Sequence, residues 1–166
     1  VVLNSANVAF STVFSGITSI TTVTFDYAGS IEDNACINRT NLTSVTINNG
    51  ITTIGVSAFQ NVPITSITIP ISVTEIKQYA FQSDGLLTSF VFNDINNSTF
   101  TTMGSGVFSN CSALAAITLP SSVTTINSAA FRQMTALTSF TWPSTVTIIN
   151  QQMFENCTNL NSITIP

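Results

Sequence analysis

The phrase LTSVTI at residues 42–47 returns along the chain as ITSITI from 64, LTSFVF from 87, LAAITL from 114, LTSFTW from 137 and LNSITI from 160, and an earlier copy, ITTVTF, starts at 20. The steps between the first residues of these copies are 22, 22, 23, 27, 23 and 23. No other property of the sequence restricts the fold as strongly. A unit this short cannot bury its own apolar side chains, but stacked units can, because each apolar position then becomes a continuous column. The long step of 27 places an insertion within residues 93–100.

Further columns run at fixed offsets from these anchors. A small or apolar residue followed by Phe precedes most of them, giving Phe14, Phe59, Phe81, Phe108, Phe131 and Phe154, with Cys36 in place of Phe in one copy and a one-residue deletion after Phe59. Ile31, Ile54, Ile76, Met103, Ile126 and Ile149 form a second column. Ile51, Val73, Phe100, Val123 and Val146 form a third. Pro70, Pro120, Pro143 and Pro166 close the anchor blocks.

Within a block, Val45 and Ile47 and their equivalents are two residues apart with hydroxyls between them, the signature of a short half-buried strand. The proline that follows cannot donate to a neighbouring strand and ends the ladder. The V-T-x-I stretches predict a second, shorter extended piece. The A-F stretches are too short for a stable helix and predict one helical or 3₁₀ turn. Successive coils joined by strand pairing lie about 4.7–4.9 Å apart. The expected fold is therefore mainly β: a solenoid of short parallel strands and short helical or 3₁₀ turns, about seven repeats long, forming one domain over residues 1–166 with a phenylalanine spine.

The composite pattern L-x-x-I-x-I-P-x-x-V-x-x-I-x-x-x-A-F-x-N-C-x-x-L, plainest in residues 114–137 and 137–160, resembles the BspA-like class of leucine-rich repeats. The resemblance runs from about Val13 to Pro166. The first two repeats depart from it most, with Cys36 for Phe and a polar 26–29 stretch where Pro and Val are expected. It implies a leucine-rich-repeat solenoid and a surface or secreted protein linked to adhesion.

Composition narrows the function classes. Charged residues are 6% of the chain and the net charge is −4, so the water-facing surface is built from hydroxyls and amides. The three basic residues, Arg39, Lys77 and Arg132, are far apart in sequence. Nucleic-acid binding needs a phosphate-neutralising cluster and is excluded. Every apolar run is interrupted well short of a membrane span. The start VVLNSANVAF lacks the basic region of a signal peptide. No histidine is present, which removes the commonest general base and a favoured metal ligand. No enzyme activity, metal or cofactor is expected.

Individual residues admit chemical and structural readings. Cys111 and Cys157 share a column two repeats apart, too far for a disulfide, and are expected to be free, buried and structural, as is Cys36. The acidic residues Asp26, Glu32, Asp33, Glu75, Asp84, Asp94 and Glu155 are scattered and read as solvated charge, with Glu32, Asp33 and Asp26 the conceivable calcium ligands and Glu75–Lys77 an exposed pair. Asn38, Asn61, Asn110 and Asn156 share one column, where left-handed turn geometry explains asparagine better than glycans do. Asn96 and Asn97 in the inserted loop are the best candidates for glycosylation.

The remaining surface is the outward half of the repeated strand: Ser44 and Thr46, Ser66 and Thr68, Ser89 and Val91, Ala116 and Thr118, Ser139 and Thr141, Ser162 and Thr164, preceded by Thr22 and Thr24. This ladder is the candidate ligand-binding face. The expected partner is a protein or glycan on a cell surface, bound by an extracellular or cell-surface module. The sequence stops at an apolar ITIP, mid-repeat, so it reads either as a segment of a longer array or, as the alternative function, as a filament subunit joined end to end. A third reading is ice binding by the S-x-T ladder.

Overall fold

A computed structural model describes residues 1–5, 10–96 and 98–165. In chain order the elements are β1 (Val2–Leu3), α1 (Phe10–Val13), β2 (Thr22–Phe25), β3 (Gly29–Ile31), β4 (Ser44–Ile47), β5 (Ile51–Ile54), β6 (Ser66–Ile69), β7 (Glu75–Ile76), β8 (Ser89–Phe92), β9 (Thr102–Met103), β10 (Thr125–Ile126), β11 (Ser139–Thr141) and β12 (Ser162–Thr164). All strand pairs are parallel. The chain winds as a β-solenoid in which most coils carry a front strand, a back strand and a turn.

The back sheet is continuous, in the order β10-β9-β7-β5-β3. The front is divided into β1-β2-β4, β6-β8 and β11-β12. Residues 116–119 carry the same apolar alternation as their neighbours but form no strand. Among the described residues this stretch makes no backbone hydrogen bond to another coil. The nearest cross-coil bond is from the Thr138 N–H to the Ala115 carbonyl, at 3.4 Å.

The turn edge is also a ladder. Each turn from residue 34 onward holds two residues with φ near +60°, four positions apart, such as Asn34 and Asn38, Ser57 and Asn61, and Tyr79 and Ser83. Asn38, Asn61, Asn110 and Asn156 all adopt this conformation, which asparagine tolerates through local hydrogen bonding. Alternate N–H groups bond within the turn, while the others reach the next coil. Cys36 donates to the Ala58 carbonyl, Phe59 to Ala80, Phe81 to Val107, Phe108 to Ala130 and Phe131 to Met153, at 2.6–3.2 Å. Backbone groups that would otherwise be buried and unpaired are thus satisfied coil by coil. None of these turns lengthens into a helix, and α1 is the one helix among the described residues.

The core follows the columns. The anchors Leu42, Ile64, Leu87, Leu114 and Leu137 are fully buried. Phe59, Phe81, Phe108, Phe131 and Phe154 stack ring on ring at centroid separations of 5.4, 5.9, 6.2 and 5.4 Å, tilted by at most 17°. Each fully buried ring contributes on the order of 1.5–3 kcal/mol. Trp142 is in the core, its indole N–H donating to the Val146 carbonyl at 2.8 Å.

Four expectations change. Phe14 is half-buried and outside the stack. Phe10 is buried in its place, against Phe14 and Phe25, because Cys36 is too short to carry the ring column further. Arg39 closes this end, its guanidinium 5.3 Å from the Phe10 centroid and donating to the Phe14 and Ile17 carbonyls. Asp84 is fully buried, not solvated, because it takes the column of Cys111 and Met134. Glu75 and Lys77 form no ion pair; the salt bridge among the described residues is Arg132–Glu155, at 2.8 Å. Ile149, Ile163 and Ile165 belong to inward columns yet are 54%, 45% and 62% exposed, because no coil packs on the far side of β12 in the structure. Pro166 of the proline column lies outside the described residues.

Candidate binding face

Two groups of hydroxyls contrast. One is committed to coil-to-coil bonding. Thr52 donates to the Gly29 carbonyl, Thr74 to Thr52, Thr101 to Thr74 and Thr124 to Thr101, at 3.1–3.4 Å along the back sheet. Ser72 and Ser122 donate to Ile51 and Phe100 at 2.7 Å. Thr88, at the entry to β8, donates to Thr65 at 3.1 Å.

The other population is the outward half of the front strands. Ser44, Thr46, Ser66, Thr68, Ser89, Thr118, Ser139, Thr141, Ser162 and Thr164 are all exposed. Among the described residues none of their hydroxyls bonds to a protein group. They do not even bond to one another, although the register sets Ser66 beside Ser89 and Ser139 beside Ser162. Thr68 is set beside Val91, which is 49% exposed. No ionisable side chain interrupts the ladder, so it offers neutral donors and acceptors.

The loss of pairing at 116–119 gives this face relief. One open groove of about 400 Å³ lies between Ser89, Val91 and Phe92 on one side and residues 116–118 on the other, with Ile95 of the inserted loop at its rim. A second, of about 380 Å³, lies between Thr118 and Leu119 and the Ser139, Thr141 and Pro143 side. LAAITL matches the strand pattern of its neighbours, so the sequence carries no signal for these grooves. The insertion at 93–100 marks the place on the chain but not its consequence.

Other candidate residues are occupied elsewhere. Glu32 accepts the Ser11 N–H and Asp33 the Val56 N–H, each at 2.7 Å, and Asp26 accepts from the Asn48 amide at 2.8 Å. These three carboxylates therefore do not converge on one point, and no group of three or more His, Cys, Asp or Glu among the described residues could hold a metal ion. The described cysteines are free. The Cys111 and Cys157 thiols each donate to a phenylalanine carbonyl, of Phe81 and Phe131, at 3.0 Å. Cys111 is buried, and Cys157 is only half-buried. Asn96 is exposed, its N–H donating to the Asp94 carboxylate at 3.0 Å, and Asn97 lies outside the described residues. No helix among the described residues is long and apolar enough to cross a membrane.

Stacked coils with an open hydroxyl face define a repeat solenoid of the leucine-rich class. The sequence matches the BspA type leucine rich repeat region in six copies, over residues 7–112 and 87–166. The chain belongs to that family, a family of structural and binding repeats. Its fold is similar to the leucine rich repeat protein of T. pallidum, with 27% identity, a TM-score of 0.77, and 87% of this chain matched to 69% of that one. A leucine rich cell surface protein from Faecalibacterium prausnitzii matches with 25% identity and a TM-score of 0.63, over 89% of this chain and 36% of that one. A leucine-rich repeat protein from Bacteroides ovatus shares the fold at 24% identity and a TM-score of 0.62, over 90% of this chain and 44% of its own. The chain thus spans less than half of the latter two proteins. No individually curated protein matches the sequence.

Proposed function

We propose that the chain is a non-enzymatic binding module of an extracellular or cell-surface protein, and that its ligand, a protein or glycan on a cell surface, docks on the front face. The observation that carries this reading is the division of the hydroxyls. Several of those on the back sheet and at the strand entries hold coils together, whereas every outward front hydroxyl is exposed and unbonded among the described residues. Extended faces of this kind are the usual binding surfaces of repeat proteins. The similarity to a leucine rich cell surface protein supports the location. The ladder holds no exposed Trp, Tyr or Arg, the usual hot-spot residues, so single-face affinity is low and multivalent presentation raises it. A lattice ligand such as ice would need an uninterrupted array, and Val91, Ala116 and the front-sheet breaks interrupt this one.

The test is a variant with Thr46, Thr68 and Thr141 all replaced by Arg, read by binding of the fluorescently labelled protein to intact cells. Stability should change little, since these exposed side chains make no hydrogen bond to a protein group, while cell binding should be lost. Undiminished binding refutes the reading.

A further inference from the structure

The one-residue deletion after Phe59 removes two turn bonds that other coils make. In those coils the residue three after the Phe position donates to its carbonyl, as Asp84 does to Phe81, Cys111 to Phe108 and Cys157 to Phe154. The anchor leucine then donates to that residue, as Leu87 does to Asp84 and Leu114 to Cys111. In the shortened coil Val62 and Ile64 make neither bond, and Pro63 between them has no N–H. The Val62 N–H is taken instead by Oδ1 of Asp84, from the following coil, at 2.8 Å. Asp84 is fully buried, and its Oδ2 has no partner among the described residues. Beside it opens a cleft of about 160 Å³ lined by Asn61, Val62, Pro63, Ser83, Gly85 and Leu86.

We propose that the Asp84 carboxyl is a proton-controlled latch between the shortened coil and the coil after it, closed while the acid is neutral and released into the adjoining cleft when it ionises. The geometry requires the neutral form: a buried carboxylate with one donor and one orphan oxygen is far costlier than a buried acid. No charged side chain faces it. The turn before it (residues 56–63) and its own anchor strand hold no titratable group, and the turn after it supplies only the Cys111 thiol. Burial accordingly raises the Asp84 acid from 3.8 to about 9, outweighing the Val62 bond, which lowers it, and burial also holds the Cys111 thiol well above its ordinary value.

The sign follows from linkage. A carboxyl whose closed-state pKa is raised stabilises the closed state fully below 3.8, and that stability is lost as pH rises toward about 9. Opening wets the group and restores its ordinary acidity, so the open population grows about tenfold per pH unit across that window.

Two measurements on the full chain test this. The carboxyl carbon of isotopically labelled Asp84 should show no titration in the usual carboxylate range, and titration there overturns the proposal without any variant. The Val62 amide protection factor, corrected for intrinsic exchange, should fall about tenfold per pH unit between about pH 5 and about pH 8. In Asp84→Asn, which keeps the acceptor and cannot ionise, it should be flat. Equal slopes in the two proteins overturn the latch.

Discussion

A Cβ added to Gly106 would stand 2.6 Å from Cε1 and 2.7 Å from Cδ1 of the Tyr79 ring in the preceding coil. Both residues occupy the first left-handed position of their turns, with φ of +61° and +59°. A tyrosine in this conformation is an outlier. The residue is 37% exposed, and its ring lies over the space that glycine leaves. Gly106→Ala should therefore destabilise the solenoid by about 1–2 kcal/mol, through left-handed strain and displacement of the ring. Chemical denaturation of Gly106→Ala, Tyr79→Ala and the double variant should show a coupling energy, since the double variant restores the space. Strict additivity would mean that the two residues do not sense each other.

Phe108 lies between Phe81 and Phe131 in the ring stack and meets Phe90 edge-on at 4.7 Å. Phe108→Ala should cost about 3–5 kcal/mol. Because each coil is held chiefly by its neighbours, the loss is expected to break cooperativity as well as lower stability. Calorimetry should resolve two transitions where the parent protein shows one. A single transition, merely shifted, would argue that coupling runs through the continuous back sheet.

The cysteines should react in an order set by burial. Cys36 is pushed up to about 12 by burial, and Cys111 is also raised by burial and completely enclosed, so neither presents thiolate near neutral pH. Cys157 is half-buried and less enclosed. Iodoacetamide labelling followed by peptide mass spectrometry should modify Cys157 first, with Cys36 and Cys111 reacting only on unfolding. Equal rates at Cys111 and Cys157 would contradict this order.

The apolar columns were legible because stacking repeats one demand many times: Leu42, Ile64 and Leu87 answer it alike, and each copy corroborates the rest. Asp84 was not legible because its role depends on a single deletion one coil earlier. A lone acid among scattered acids looks solvated until Val62 is seen without an acceptor in its own turn. Phe14 misled for a related reason, since its column ends where Cys36 replaces the ring. The outward hydroxyls were readable from period two. Their freedom was not, because Thr43 and Ser44 look equivalent in sequence, yet only Thr43 points its hydroxyl at the coil before, toward the Thr21 carbonyl. The grooves beside 116–119 were hidden completely, since the strand pattern there is intact and only the pairing is lost.

The turn ladder has one further consequence. Its cross-coil bonds all run from the earlier coil's N–H to the later coil's carbonyl. Every coil therefore shows donors on one flank of its turn edge and acceptors on the other. Two coil flanks of the same kind cannot satisfy each other, because donor would meet donor. Whatever packs against a coil in the manner of its neighbour, whether another repeat or another molecule, must arrive in the same sense along the axis, which forbids a two-fold joint and permits only a head-to-tail one.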